Sequence, residues 1–344
     1  MHKQVNILGI ETSCDETAAA VVADGNVIKS SVVASQVGLH QKYGGVVPEI
    51  ASRAHIENIL PVINEAMTKA GVRKNDIDAV AVANQPGLTI ALMVGVTAAK
   101  TLAMVWDKPI IGVNHVHAHL QSAMIAQEDK LELPAIALVV SGGHTSLYQC
   151  KNALELTLLG STINDAAGEA FDKVATILGL PYPGGPSIEK IAKKGNAKAV
   201  NFPRTMLGPD SLDFSFSGLK TAVLYHCCGQ DMRGENRCKE MDEQELADIA
   251  ASFQAAVIDV LIKKTKRAAQ KTGAKTILLG GGVACNTALR DGLADMAAKI
   301  GVNLLIAPKQ YCTDNGVMVA SLAYYKFKAG MFGDLTMEAK AGSQ

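Results

Sequence analysis

The densest group of metal-capable side chains in this chain is His115-Val116-His117-Ala118-His119, which opens a run of helical composition. Histidines four apart on a helix share a face, with Cβ atoms roughly 5–6 Å apart, so His115 and His119 can hold one cation while His117 points elsewhere. Proteolysis of the HExxH kind lacks its general base, because Val116 stands where that chemistry needs glutamate. The plainer reading is three histidines closing a strand-to-helix turn. Strand 109–113 leads to His115 in one half of the chain, and strand 303–307 leads to Asp314 in the other. That correspondence nominates Asp314 as a third ligand, although it can equally N-cap the helix beginning near Asn315. Two imidazoles and a carboxylate with open positions suit Fe(II), Zn(II) or Mn(II).

Three further turns carry groups suited to a nucleotide. Ser141-Gly142-Gly143-His144-Thr145 offers two glycines that let backbone amides approach an anionic oxygen, with two hydroxyls beside them. The turn from Glu11 to Thr17 is acidic through Glu11, Asp15 and Glu16, so it repels bare phosphate unless a cation intervenes or its carboxylates have a catalytic duty. Gly280-Gly281-Gly282 lets a flat base lie against bare backbone, and Asn286 after it can cap a helix or bind a ligand. Asp172 stands about two turns into the helix that starts near Asn164, with Gly184-Gly185 and Glu189 downstream. Carboxylates there can grip ribose hydroxyls, or face solvent from a helix surface.

These turns need strands and helices to hold them, and the chain supplies the set twice. Val5–Ile10 and Ala18–Val22 flank the acidic turn as a hairpin, and Ile136–Val140 and Ser146–Cys150 flank the glycine turn in the same way. Each hairpin precedes a strand, a glycine-bearing turn and a helix: 78–83 into 93–105, and 276–279 into 286–299. Alternating strands and helices predict mainly parallel sheets covered on both faces. The expected architecture is therefore α/β with two duplicated lobes around a nucleotide cleft. The first lobe is expected over 1–130 and the second over 131–315, with the boundary in Ala126–Leu133. The helix at 316–328, within a C-terminal part 316–344, is expected to pack back on the first lobe. Residues 229–245 read as an exposed excursion.

With 344 residues and 48% hydrophobic content the chain can bury a large core. Lysine plus arginine equals aspartate plus glutamate at 33 each, so the global field steers the protein toward neither nucleic acid nor membrane. Local basic stretches at 190–198 and 263–271 can meet phosphates or simply face water. The seven cysteines form no CxxC pair, which suits a reducing cytoplasm better than a disulfide framework. No export signal or membrane anchor is expected.

Ten ordered motifs give these parts a common context. GIETSCDET (9–17), YGGVVPEIASRAH (43–55), PGL (86–88), NHVHAH (114–119), VSGGHT (140–145), DAAGEAFDK (165–173), YPGGP (182–186), FSFSGLK (214–220), GGGVACN (280–286) and CTDNG (312–316) span nearly the whole chain. Together they resemble the tRNA N6-adenosine threonylcarbamoyltransferase family, TsaD-type. The resemblance implies an actin-like (ASKHA) fold with two RNase H-like lobes. It implies transfer of threonylcarbamoyl from threonylcarbamoyl-AMP to N6 of the adenosine 3′ of the anticodon in tRNA. It also implies His115, His119 and Asp314 as ligands of one divalent metal, with Fe(II) placed ahead of Zn(II) and Mn(II). Val139, Val140, Ser141, Gly142, Gly143, Asp172, Gly185, Glu189 and Asn286 become contacts to the adenylate, and Asp15 and Glu16 the acidic residues needed for activity. Glu189 departs from the Asp of many bacterial relatives. Expected partners are a TsaB-like paralogue and a TsaE-like ATPase. The alternatives are a small-molecule kinase on the same fold, which would spend ATP without needing His115 or His119, and a nucleotide-gated scaffold.

Overall fold

The apolar run after Val5 folds as a strand whose residues are all buried, because elements cover both of its faces. In the computed structural model, which describes residues 4–125, 127, 130–229, 238 and 240–342, the chain begins β1 (Asn6–Glu11), β2 (Glu16–Ala23), β3 (Val27–Ser35), α1 (Val37–His40), α2 (Pro48–Ala70), β4 (Ala79–Gln85), α3 (Thr89–Trp106), β5 (Ile110–Asn114) and α4 (His115–Met124). It continues with β6 (Ala135–Val140), β7 (Thr145–Cys150), β8 (Leu156–Ser161), α5 (Ala167–Ile177), α6 (Gly184–Ala192), α7 (Ser217–Cys228), α8 (Glu243–Thr272), β9 (Thr276–Gly280), α9 (Thr287–Ile300), β10 (Asn303–Ile306) and α10 (Gly316–Lys328). Two compact units result, Met1–Glu128 with Ala307–Gln344, and Asp129–Ile306.

The first unit is built on a five-stranded sheet ordered β3-β2-β1-β4-β5. β1 pairs antiparallel with β2 and parallel with β4, and β4 pairs parallel with β5. Side chains alternate across β1 as a period of two requires. Leu8 and Ile10 join Ile59, Val62 and Ile63 of α2 and Val96 and Ala99 of α3 in one core. Ile7 faces the other way, into a core with Ala118 of α4 and Val317, Val319 and Ala320 of α10. The second unit has the order β10-β9-β6-β7-β8, the same topology with each strand replaced by its later counterpart.

α10 lies unusually close to β1 and β2. A Cβ on Gly9 would sit 2.6 Å from the Ala320 amide nitrogen, and one on Gly316 would sit 2.5 Å from that of Ala20. Only glycine at both positions permits this approach, and the approach carries residues 307–315 into the first unit. The division at Ile306 and Ala307 therefore precedes the expected end of the second lobe at 315, and Asp314 belongs with the histidines. Beyond α10 the chain runs along the same unit. Gly333 donates to the Ile110 carbonyl at 2.8 Å and Lys340 to that of Asn84 at 2.9 Å.

Other departures have local causes. β3 and β8 are edge strands, partly exposed, and their mixed polar sequences show no clean alternation. α3 is long and apolar enough by length and composition to cross a membrane, yet it packs on β4 and α2. The basic stretch 263–271 is not a uniform solvated face: Lys264 is fully buried, and its Nζ donates to the carbonyls of Met206 (2.9 Å) and Ser211 (3.0 Å). Of the two segments read as a boundary and an excursion, residues 126, 128, 129, 230–237 and 239 lie outside the described residues, while 243–245 open α8.

Candidate metal centre

α4 starts at His115 because Asn114 ends β5 in an extended conformation and its side chain accepts the His117 amide at 3.0 Å, as an N-cap does. One turn separates His115 from His119, whose ring centroids are 4.7 Å apart and nearly perpendicular at 78°. Asp314 Oδ1 lies 3.6 Å from His115 Nε2 and 3.2 Å from His119 Nε2. Ligand atoms of all three residues fall within 4.8 Å of one another. The capping alternative for Asp314 does not hold, since Asn315 caps α10 by accepting the Met318 amide at 2.9 Å. Asp314 is thus left to face the imidazoles.

The fit of this trio to a cation rests on His119. Its side chain is fully buried, and among the described residues neither ring nitrogen completes a hydrogen bond, although Nε2 lies 3.2 Å from Asp314 Oδ1. An unsatisfied buried polar group costs about 1–3 kcal/mol, and coordination would remove that cost. His115 is held differently: its Nδ1 lies 3.0 Å from both Glu11 Oε2 and Ser13 Oγ. A carboxylate accepts only, so Nδ1 carries a proton and Nε2 is turned toward Asp314 and His119. Burial works against the imidazolium, but the charges of Asp314 and Glu11 and the Glu11 hydrogen bond prevail, lifting the His115 pKa to about 9.

Glu11 is absent from the candidate list read off the sequence, where it figures only as part of an acidic turn. It is fully buried and takes the Ser13 amide on Oε1 at 2.5 Å while orienting His115 with Oε2. Its one sequence signal is a carboxylate at the end of an otherwise apolar strand, a position that demands a partner.

Asp15 is buried on the turn between β1 and β2, and Glu16 opens β2. Burial, then the charges of Asp15 and Asp314 and a hydrogen bond that the Glu16 carboxyl donates to Asp15, push the Glu16 carboxyl up to about 10. Without a cation, Glu16 therefore holds a proton at neutral pH beside Asp15. Burial and then the charges of Asp15, Asp314 and Glu16 also push the Cys14 thiol well up, so no thiolate nucleophile arises there.

The other candidate residues lie in the second unit. Val139 and Val140 are buried in β6 and contribute backbone. Ser141 closes the following turn: its amide donates to the His144 carbonyl at 2.8 Å, and its Oγ accepts the His144 amide at 3.1 Å. Gly142 and Gly143 face open space. Gly281, at φ +92°, brings the β9 turn against the backbone of Val140, an approach that a side chain would block. Asp172 Oδ1 accepts the Gly184 amide at 2.7 Å, fixing the start of α6, and Gly185 next to it is open. Glu189 Oε1 accepts the Thr287 amide at 3.0 Å. Asn286 caps α9 by accepting the Leu289 amide at 3.0 Å, and its Nδ2 donates to Gln254 Oε1 at 2.8 Å. These contacts gather the turns after β6 and β9 with the starts of α6 and α9.

Comparison with known proteins bears on the family and the fold. Residues 27–321 match the family model described as tRNA N6-adenosine threonylcarbamoyltransferase. A protein of that name from Moorella thermoacetica is 50% identical over 336 residues, 98% of this chain and 96% of that protein. Among solved structures, full-length HypF in its phosphate- and nucleotide-bound form superposes with a TM-score of 0.62 at 15% identity, covering 97% of this chain and 48% of that one. The ROK hexokinase of Thermus thermophilus gives 0.51 at 16% identity, covering 95% and 100%. These two likenesses speak to the fold alone, which is the actin-like (ASKHA) fold.

Proposed function

The chain belongs to the tRNA N6-adenosine threonylcarbamoyltransferase family, and on that footing we propose that it moves threonylcarbamoyl from threonylcarbamoyl-AMP to N6 of the adenosine 3′ of the anticodon in tRNA. In this reaction the N6–carbonyl bond forms, the carbonyl–phosphate bond of the mixed anhydride breaks, and AMP and a proton leave. AMP is a good leaving group, so no covalent intermediate on the enzyme is needed. The observation that carries the reading is the buried trio His115, His119 and Asp314 in a chain half identical to a named transferase along nearly its whole length.

His115 through Nε2, His119 through a ring nitrogen and Asp314 through its carboxylate would hold one divalent metal. Fe(II) is favoured over Zn(II) and Mn(II), all of which suit such a donor set. When bound, the ion supplies Lewis-acid polarisation of a carbonyl or phosphoryl oxygen. Glu11 keeps His115 in the tautomer that leaves Nε2 free to ligate. Asp15 accepts the N6 proton, and Glu16 hydrogen-bonds beside it. In the second unit the Gly142 and Gly143 amides, on the turn that follows Val139, Val140 and Ser141, receive the adenylate phosphate. Asp172, Gly185, Glu189 and Asn286 hold the rest of the nucleotide.

The reading extends to a TsaB-like paralogue and a TsaE-like ATPase as working partners in the cytoplasm. A phosphotransfer reading has the fold in its favour and nothing more. Purified protein, tRNA and threonylcarbamoyl-AMP, incubated with and without those partners, should yield N6-threonylcarbamoyladenosine in the digested RNA by mass. Absence of the nucleoside in every combination overturns the proposal. Unchanged transfer by Asp15→Asn removes that residue from the role of base.

A further inference from the structure

The motif around residues 43–55 takes no part in the site described above, yet it ends in one of the most buried polar groups of the first unit. His55 and His40 are fully buried, as is Thr17, and Gln36 is 2% exposed. His55 Nε2 lies 3.0 Å from the Cys14 carbonyl, and its Nδ1 lies 2.8 Å from Thr17 Oγ1 and 3.3 Å from Gln36 Nε2. The same Gln36 amide nitrogen reaches the Ala51 carbonyl at 3.3 Å, and its Oε1 lies 3.2 Å from His40 Nε2. His40 Nδ1 in turn meets the Val47 amide at 3.3 Å. The Gln36 backbone amide donates to the Asp15 carbonyl at 3.0 Å.

These contacts admit one proton arrangement. A carbonyl only accepts, so His55 Nε2 carries the hydrogen, and its bare Nδ1 receives the Thr17 hydroxyl and the Gln36 amide. The Val47 amide only donates, so His40 Nδ1 is bare and its Nε2–H donates to Gln36 Oε1. Every donor then meets an acceptor with both imidazoles neutral. Burial, which holds the His55 pKa below the ordinary imidazole value, agrees. Fully satisfied buried networks of this kind specify a single geometry, because any rotation strands a group out of reach of water.

The network ends on the turn that carries the acidic pair. It grips the carbonyls of Cys14 and Asp15 and the hydroxyl of Thr17, so it brackets Asp15 and Glu16 on both sides. We propose that His55 and Gln36 are positioning residues for threonylcarbamoyl transfer, fixing the Cys14–Thr17 turn so that Asp15 and Glu16 are presented in one arrangement. The inference rests on the reading of those two carboxyls given above. Neither His55 nor Gln36 touches a metal ligand, so their loss should alter the rate of transfer without altering metal content.

A matched pair of variants separates positioning from packing. The Gln side chain places its amide nitrogen near where His Nε2 stood, and Asn places its oxygen near Nδ1. His55→Gln therefore keeps the donor to Cys14, and His55→Asn keeps only the acceptor for Thr17. In the tRNA modification assay with full-length, metal-loaded protein and its partners, His55→Asn should lower kcat about 10–100-fold, as misplaced catalytic groups do. KM for tRNA should stay within about twofold, metal content should not change, and His55→Gln should recover most of the loss. If His55→Asn does not fold, Thr17→Val, which removes one hydroxyl and keeps the shape, should give a smaller kcat loss of the same kind. Long-range proton–nitrogen NMR should find the His55 proton on Nε2. An unaffected kcat in the folded variant, a loss confined to KM or to metal content, or a proton on Nδ1 overturns the inference alone. A wild type that makes no modified nucleoside overturns the transfer reading, and this inference with it.

Discussion

Glu11→Gln is a one-atom change that tests the proposed metal centre without replacing any of its three proposed ligands. The Glu11 carboxylate takes two donors, the Ser13 amide at 2.5 Å on Oε1 and His115 Nδ1 at 3.0 Å on Oε2. A glutamine has one acceptor and one donor end in the same place. With its oxygen toward Ser13, its amide nitrogen confronts Nδ1 and drives the imidazole proton to Nε2, the atom that faces Asp314. With the amide flipped, two donors meet at Ser13 instead. Either way one buried hydrogen bond is lost or the ligating tautomer is disfavoured, a cost of about 1–3 kcal/mol. Loss of such a supporting carboxylate lowers metal affinity about 10–100-fold, or roughly 1.4–2.7 kcal/mol. Competition of Fe(II) or Zn(II) between protein and a chelator of known affinity measures it, with the far-ultraviolet spectrum as the check on folding. A folded Glu11→Gln whose metal affinity lies within twofold of wild type would refute the assignment of Glu11 as the group that orients His115.

Three further outcomes follow from the geometry. Raised pKa values at His115 (about 9) and Glu16 (about 10) both favour the protonated form in the folded, metal-free protein. Their stabilisation is complete below the ordinary values and lost as pH rises through the folded ones, so the urea midpoint of chelator-treated protein should fall between pH 6.5 and 9; a flat or rising midpoint contradicts this. Gly9→Ala should lower both the thermal midpoint and metal affinity by forcing α10, and Asp314 with it, away from β1, at a cost of about 1–3 kcal/mol. Gly38→Ala, where nothing lies within 4 Å of the added carbon, should change neither, as calorimetry and metal titration can check. Lys264→Met, which leaves the Met206 and Ser211 carbonyls without their donor, should cost on the order of 2–4 kcal/mol in urea unfolding and leave metal content intact.

What could be read from the sequence followed from periodicity. His115 and His119 are four apart on a helix in any fold, and the doubled strand–turn–helix figure nominated Asp314, which lies 3.2 Å from His119. The duplication itself is visible as one strand order occurring twice. Pairings between distant residues were not legible in that way. Glu11 meets His115 across 104 positions, and the Cys14 carbonyl meets His55 across 41, contacts set by sheet and helix packing with no local pattern to announce them. Lys264 stands in a stretch that reads as a solvated face, and its burial depends on a loop more than 50 residues earlier. The close approach of α10 to β1, permitted by Gly9 and Gly316, moved residues 307–315 out of the second unit.

That approach also sets an order of events during protein synthesis. The two imidazoles emerge from the ribosome roughly 200 residues before the carboxylate that joins them, an interval of about 10–40 s at about 5–20 residues per second. The nascent first unit can complete its sheet in that time but not the trio of His115, His119 and Asp314, so metal capture by the proposed centre would be a late step, following translation of α10. Truncation before residue 314 should give a protein that still forms much of its core and retains no ion through gel filtration.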